Sequence, residues 1–191
     1  MTMLHTATDD RAYPIVHQDV KPDNILLTQP PDGSPVRAKL ADFGLARVAP
    51  DLARESVFQL QTQTLAGTRG YVAPELINGG KVSTRTDSFA FGVVLLQLLT
   101  SKPTVCSASG ELLIDEMCDL REDTSRLSPA HLDTAGGSWD VEAARRMLKV
   151  ADRCVHALAR RRVEVRDVLA ELEALVESGS GGQVGFITIT T

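Results

Sequence analysis

Cysteine is scarce in this chain of 191 residues, which contains only Cys106, Cys118 and Cys154. Their odd number and wide spacing fit neither a disulfide framework nor a zinc site, and they favour a reducing compartment. Positive charge is not in excess either, since 20 Lys and Arg residues stand against 25 Asp and Glu, a net charge of −5. A mildly acidic chain is a poor candidate for general nucleic-acid binding, so we expect no nucleic-acid partner.

Long hydrophobic runs are also missing. Residues 1–11 contain no apolar stretch and include Asp9 and Asp10, which argues against a signal peptide. The longest apolar run, 89–96, is much shorter than the roughly 20 residues that cross a bilayer. We therefore expect no transmembrane segment in this chain and predict a helix that is buried on all sides.

The length suits about one domain, and the first half predicts a small hairpin. Short apolar strands at 25–28 and 38–41 flank a turn-rich segment, 30–35, that contains three prolines and a glycine. Residues 44–70 show no clean periodicity and are interpreted as a long loop, which in a compact domain is often functional. Helices are predicted at 84–100 and 111–120.

Two amphipathic helices are predicted in the second half, after an irregular polar stretch at 121–138. Asp140 is a good N-cap for the first of them. Its apolar positions lie at helical spacing, as do those of the last helix. The end of the chain, 178–182, has the composition of a flexible linker, and 186–190 could form an edge strand or stay disordered. The apolar positions are Ala144, Leu148, Ala151 and Val155 in the first helix, and Val165, Val168, Leu169, Leu172 and Val176 in the second.

Four short motifs occur in one order along the chain. The first is the segment 17–24, His-Gln-Asp-Val-Lys-Pro-Asp-Asn, directly before the strand at 25–28. The second is Asp-Phe-Gly at 42–44, just after the second strand. The third is 67–75, Gly-Thr-Arg-Gly-Tyr-Val-Ala-Pro-Glu, and the fourth is Asp87 at the start of the apolar helix. Each motif alone is a weak signal, but the order and the strand and loop contexts make the set specific.

With these motifs the chain resembles the eukaryotic protein kinases, from the catalytic loop onward. The resemblance implies an α+β, mainly α-helical fold, that of a protein-kinase-like C-terminal lobe with a small β-hairpin. Residues 1–177 would form this partial kinase domain, and 178–191 a flexible tail rich in Gly and Ser. The segments 42–47, 91–96 and 132–154 look most like the receptor-like and interleukin-receptor-associated kinases.

The resemblance also implies the residues that carry out phosphoryl transfer from ATP. Asp19 is the carboxylate that receives the substrate hydroxyl, and Lys21 steadies the γ-phosphate. Asn24 and Asp42 supply oxygens for Mg²⁺, a hard cation that prefers such ligands. The plain alternative is that these are solvated loop carboxylates and a surface lysine, which the order of the motifs argues against.

The substrate class follows from the same resemblance. A lysine two residues after Asp19, together with the segment 67–75, is similar to serine/threonine kinases rather than tyrosine kinases. Protein substrates are therefore the expected partners. Within the family, the counterpart of Thr68 hydrogen-bonds near the catalytic Asp, and this loop seats the residue after the phosphoacceptor. The substrate-loop residues are Gly67, Thr68, Gly70 and Tyr71.

Structural roles are implied for His17, Asp87, Glu75 and Arg162. Asp87 would accept backbone N–H bonds from the catalytic loop. Glu75 would pair with an Arg late in the chain, for which Arg162 is the best match, although Val163 stands where the family often has Pro. The neighbours at 160 and 161 are rival arginines.

Two departures from the family pattern stand out. The glycine-rich loop, the strand lysine and the helix glutamate should all precede His17, where only 16 residues lie. We therefore expect the N-terminal lobe to be absent and the chain alone to be inactive. The Gly-rich segment 179–185 has the wrong spacing to replace that loop. A non-catalytic binding module and a truncated gene product remain the alternatives. A cytoplasmic location is expected, with any membrane tether in a missing N-terminal region.

The second departure is Gln18, which stands where many kinases have Arg. That Arg normally binds a phosphate on the activation loop, and a neutral amide cannot offer its bidentate, charge-assisted contact. Ser56, Thr62 and Thr64 lie in the corresponding loop. They are either phosphorylation sites with a weakened readout or simply polar loop residues.

Overall fold

The structure is a computed structural model that describes residues 14–29, 36–48, 68–135, 138–178 and 188–189. Within these ranges, five strands form a two-stranded and a three-stranded sheet, and six α-helices account for most of the remaining regular structure. The strands are β1 (Ile15–Val16), β2 (Ile25–Thr28), β3 (Arg37–Leu40), β4 (Arg47–Val48) and β5 (Thr188–Ile189). The helices are α1 (Pro74–Ile77), α2 (Thr84–Thr100), α3 (Leu113–Glu116), α4 (Cys118–Glu122), α5 (Val141–Cys154) and α6 (Val165–Ser178).

The predicted hairpin is present. Strands β2 and β3 pair in antiparallel fashion, with Ile25 opposite Leu40 and Thr28 opposite Arg37. The first strand has the predicted bounds, and the second, 37–40, begins and ends one residue earlier than the predicted 38–41. β5 pairs with β3 in parallel, on the side of β3 away from β2. Of the two alternatives for 186–190, residues 188–189 therefore follow the edge strand.

A second strand pair was not predicted. Val16 and Arg47 are partners in the antiparallel pair of β1 and β4. The interpretation of 44–70 as loop was therefore wrong for residues 47–48, because a two-residue strand is too short to show an alternating pattern. This pair fixes the two ends of the segment that contains the first two motifs.

Helix α2 lies at the centre of the core. The stretch Phe89 to Leu96 is buried on every side, as the apolar run predicted. A Cβ placed on Gly92 would lie 2.6 Å from the Cβ of Cys154, so α2 and α5 approach closely at this glycine. Burial raises the pKa of the Cys154 thiol to about 12, so this cysteine is a packing residue.

The two amphipathic helices confirm their predicted patterns. The Asp140 carboxylate accepts hydrogen bonds from the backbone amides of Glu142 and Ala143, at 2.8 and 3.0 Å, and caps α5. The predicted apolar face of α5 is buried against α2. In α6, Val165 and Val168 are buried in the same core and Leu172 packs against it, while the predicted side chain of Val176 lies outside the described part of the structure.

The single helix predicted at 111–120 is instead two short helices, α3 and α4. Met117 separates them, with backbone angles (φ −90°, ψ 5°) that leave the helical range. Its side chain is buried, so packing overrides the local helical preference. Helix α1 was not predicted, and 3₁₀ turns occupy Thr124–Arg126 and Pro129–His131 in the stretch read as irregular.

Several sequence predictions fall outside the described residues, namely Gly67 and the three hydroxyl residues Ser56, Thr62 and Thr64. The same holds for the segment before residue 14 and most of 179–191. Among the described helices, none has both the length and the apolar character that crossing a membrane requires.

Candidate active site

The segment between β1 and β2 is anchored through His17. Its ring is buried and contacts the backbone oxygen of Ala41 through Nε2, at 3.0 Å. The other ring nitrogen accepts a hydrogen bond from the Asp19 amide at 3.3 Å. The ring also meets the edge of Phe43, with 4.9 Å between centroids. One histidine thus connects the first motif to the second.

Asp87 ties this segment to the central helix. From the first turn of α2, its buried carboxylate accepts the backbone N–H of His17 at 2.7 Å and of Gln18 at 2.8 Å. These are the bonds that the family resemblance implied. Gln18 has a positive φ of 70°, a strained value for a non-glycine residue. Its side-chain amide donates to the backbone oxygen of Leu45.

Three polar side chains surround the Asp19 carboxylate. The Lys21 ammonium is 2.8 Å from Oδ2, and the Asn24 amide donates to the same oxygen at 3.0 Å. The Thr68 hydroxyl donates to Oδ1 at 3.3 Å and accepts from Lys21 at 2.9 Å. The first and third motifs therefore meet around one carboxylate, although Thr68 is 49 residues from Asp19.

The pKa of the Asp19 carboxyl lies below its ordinary value of 3.8. Partial burial acts to raise this pKa, but hydrogen bonds from Lys21, Asn24 and Thr68 and the charge of Lys21 together outweigh it. The group is therefore ionised at neutral pH. An ionised carboxylate can orient a hydroxyl by accepting its hydrogen bond.

The hairpin brings Asn24 and Asp42 to the same end of β2 and β3. The amide of Ala41 donates to the backbone oxygen of Asn24 at 2.8 Å, so Asp42 is one residue beyond this contact. Asp42 has a left-handed backbone (φ 59°), and its exposed side chain accepts from the Gly44 amide at 3.3 Å. Both bonds of the Asn24 side chain use Nδ2, which leaves its oxygen for another partner.

These two residues offer oxygen atoms of the kind that Mg²⁺ prefers. Among the described residues, no group of three or more His, Cys, Asp or Glu is arranged to hold a metal ion. Mg²⁺ usually keeps several waters and takes one or two protein oxygens together with substrate phosphates. One amide and one carboxylate fit that pattern, whereas they would not form an all-protein metal cage.

The start of the substrate loop is packed against the segment that follows α2. Gly70 has a φ of +93°, and a Cβ there would lie 2.5 Å from the Cβ of Thr104. The Tyr71 hydroxyl donates to the Gln97 side chain, which donates in turn to the backbone oxygen of Lys102. The pKa of Tyr71 is raised to about 12, mainly because the side chain is partly buried and to a smaller extent because of the charge of a nearby aspartate. The hydrogen bond to Gln97 acts in the opposite direction.

Glu75 and Arg162 form a two-pronged ion pair. The guanidinium nitrogens Nη1 and Nη2 lie 2.8 and 2.9 Å from the two carboxylate oxygens. The Arg162 side chain is fully buried, and it also covers the ring of Phe89 at 5.0 Å. The rival arginines at 160 and 161 are exposed, so Arg162 is the partner of Glu75 in this structure.

Gln97 and Thr104 were missed by reasoning from the sequence. Neither belongs to one of the four motifs, and each contacts the substrate loop from a distant part of the chain. The Gln18 contact with Leu45 was also not predicted. The sequence carries no local signal for these contacts, since each joins segments that are far apart in the chain.

Known proteins match this chain over nearly its whole length. It is 33% identical over 97% of its length to "Probable serine/threonine-protein kinase PBL28" of Arabidopsis thaliana, and this match covers 48% of that protein. It is 31% identical over 88% of its length to "Receptor-like protein kinase At5g59670" of the same plant, covering 18% of the relative. A cotton relative, from Gossypium barbadense, is "EPD1-interacting receptor-like cytoplasmic serine/threonine-protein kinase 5D". It is 31% identical over 91% of the chain and 36% of the relative.

The chain thus spans less than half the length of these relatives. The sequence model described as "Protein kinase domain" matches residues 1–172. That match takes in all four motifs and both loops that meet at Asp19. This chain belongs to the protein kinase family.

Proposed function

We propose that this chain carries the catalytic and substrate-binding segments of a protein serine/threonine kinase. The observation that supports this most is the setting of Asp19. Its carboxylate lies between Lys21, Asn24 and Thr68, on a loop that Asp87 joins to the central helix. Such a group can hold one hydroxyl in one orientation, which phosphoryl transfer needs.

In this mechanism Asp19 accepts the hydrogen bond of the substrate hydroxyl and receives its proton as the phosphoryl group is transferred. Lys21 provides a positive charge beside the γ-phosphate of ATP. Asn24 and Asp42 would hold Mg²⁺, which neutralises phosphate charge when it is bound. The lowered pKa of Asp19 makes it a weak base, so its main contribution is to orient the hydroxyl.

The Ser/Thr class is supported by the contact between Lys21 and Thr68, which links the catalytic loop to the substrate loop at 2.9 Å. A cavity of about 30 Å³ lies between parts of these two loops, and its lining includes Asp19, Thr68 and Tyr71. Two of the three relatives described above are named serine/threonine-protein kinases. We propose protein substrates that present Ser or Thr at this place.

We further propose that residues 1–177 correspond to the C-terminal lobe of a kinase domain, with 178–191 as a tail. The four motifs contain the catalytic loop, the metal-binding residues and the substrate loop. The sequence contains no match to the glycine-rich loop or the strand lysine that clamp ATP in this family. We therefore propose that the chain alone transfers little phosphate, and that it acts inside the cell, where ATP is supplied.

The test compares the chain alone with the same chain joined to the N-terminal lobe of a related kinase. Each is given radiolabelled ATP, Mg²⁺ and three peptides that differ only in carrying Ser, Thr or Tyr. We expect transfer to the Ser and Thr peptides by the fusion and very little by the chain alone.

Asp19→Asn in the fusion is the matched control, because it keeps the side-chain size and removes the charge. Loss of transfer in this variant supports the proposed role of Asp19. A folded fusion that transfers no phosphate to any peptide would favour the alternative of a non-catalytic binding module. Asp19-dependent turnover by the chain alone would contradict its proposed inactivity.

A further inference from the structure

A second cavity lies away from Asp19 and has a volume of about 380 Å³. It is bordered by the start of α1, by α2, by α3 and α4, and by the end of α5 with the loop that follows. Volumes of this order are typical of binding sites for small ligands or peptide side chains. Of the residues in the four sequence motifs, Pro74 is the one that lines this cavity.

Part of the wall of this cavity is apolar. Phe89 and Val155 belong to the buried core, and Ile114 and Pro74 are half-buried. Ala157, which is exposed, adds to this apolar part of the lining. An apolar side chain, or the stem of a long charged one, would therefore find a suitable surface here.

The remaining wall carries an excess of negative charge. Asp152 forms an ion pair with Arg121 at 2.6 Å, and Arg121 is the one arginine among the lining residues of this cavity. Asp115 and Glu122 are exposed and have no ion pair with another described residue. From the residues that the structure describes, Glu122 accepts a weak hydrogen bond, donated by the Cys118 thiol at 3.7 Å. Two carboxylates thus flank the apolar surface, and neither forms an ion pair with another residue that the structure describes.

We propose that this cavity is a docking site for a protein segment in which Arg or Lys stands next to an apolar residue. The apolar residue and the stem of the basic one would cover Pro74, Ile114 and Ala157, the apolar lining residues that remain accessible. The cationic group would then lie between Asp115 and Glu122, where its charge is complementary. Pro74, which lines this cavity, begins the helix that follows the substrate loop.

The direct test measures binding of a fluorescent peptide, Gly-Ala-Leu-Arg-Leu-Ala-Gly amide, to the full chain by anisotropy. The matched probe replaces Arg by citrulline, which has the same shape without the charge. We expect the citrulline peptide to bind about fivefold more weakly, as befits two exposed charge contacts, and we expect added salt to remove most of the difference. Equal binding of the two peptides, or no binding of either at about 1 mM, would overturn the proposal.

Protein variants then locate the site. The double change Asp115→Asn with Glu122→Gln should weaken the Arg peptide about fivefold and leave the citrulline peptide unchanged. The control is Asp119→Asn, since Asp119 lies on the same helix, is 77% exposed and does not line the cavity. An equal loss in this control would show a general charge effect and contradict the proposal.

A variant that fills the cavity provides a second, independent test. Ala157 is an exposed lining residue, so Ala157→Trp should block both peptides without disturbing the core, whereas Ala130→Trp, at an exposed site away from the lining, should not. Unchanged binding in Ala157→Trp would contradict the proposed site. The probes contain no hydroxyl residue and the assay contains no ATP, so these results are independent of the proposed kinase activity.

Discussion

Arg162 and Glu75 are 87 residues apart in the chain and form a bidentate ion pair in the core, with both N–O distances below 3 Å. Arg162 also donates to the backbone oxygens of Arg85 and His156. This one side chain therefore joins the end of the substrate loop, the start of α2 and the segment after α5. The position of the substrate loop depends on a contact with the last third of the chain.

Removing the arginine should destabilise the fold strongly. Arg162→Met leaves the Glu75 carboxylate and two backbone oxygens without their donor, so we expect the free energy of unfolding to fall by about 3–5 kcal/mol. Urea denaturation followed by circular dichroism measures this change. Arg161→Met is the matched control, and at its exposed site it should change stability by less than about 0.5 kcal/mol. Similar losses in the two variants would show that the ion pair has no special role.

The attachment of the catalytic loop to α2 can be tested by hydrogen exchange. Asp87→Asn replaces one of the two acceptor oxygens by an amide that cannot accept. The His17 or Gln18 amide should then lose about 1–3 kcal/mol of protection, or roughly 5–150-fold in exchange rate. Ser88→Ala is the control, because the Ser88 hydroxyl donates to the backbone oxygen of Thr84 in its own helix. Unchanged exchange of both amides in Asp87→Asn would contradict the assigned contact.

The lowered pKa of Asp19 predicts a contribution to stability that depends on pH. Because the folded-state pKa lies below 3.8, the ionised group stabilises the fold above that value. The contribution is lost as the pH falls through the folded-state pKa. The melting temperature of the wild-type chain should therefore fall more steeply than that of Asp19→Asn between about pH 5 and pH 2. Parallel curves for the two proteins would show that the pKa is not lowered.

A comparison of two glycines with positive φ distinguishes the cost of a side-chain contact from the cost of backbone strain. Gly110 (φ +73°) has open space around it, whereas Gly70 (φ +93°) faces Thr104. Alanine at either place meets the backbone strain of a positive φ, but only Gly70→Ala also meets a neighbouring side chain. We expect Gly70→Ala to cost about 1–3 kcal/mol more than Gly110→Ala in urea denaturation. Equal costs would mean that Thr104 moves aside freely.

Much of the site was predictable because the motifs mark it. Asp19, Lys21 and Asn24 are in one short segment, and the order of the motifs pointed to Thr68 and Asp87 as their distant partners. The helix around Phe89–Leu96 was predictable from its apolar run alone. In each case a local pattern is strong enough to determine the structure without knowledge of the packing.

The remaining features depend on contacts that no local pattern records. The pair β1–β4 is too short to show alternation, and the break at Met117 arises because that side chain is buried. The bond between Tyr71 and Gln97 and the packing of Gly70 on Thr104 both join the substrate loop to the end of α2 and the segment after it. Choosing Arg162 over its two neighbours likewise required knowing which of the three is buried.

The most direct measurement is the single-turnover rate of phosphate transfer to a Ser peptide, with the chain fused to the N-terminal lobe of a related kinase. The account predicts that Asp19→Asn lowers this rate by about 10²–10⁴-fold while the melting temperature at neutral pH changes little. Mass spectrometry of the product should place the phosphate on the hydroxyl of the Ser. Equal rates for the wild-type and Asp19→Asn fusions would contradict the account, because transfer would then not depend on this carboxylate.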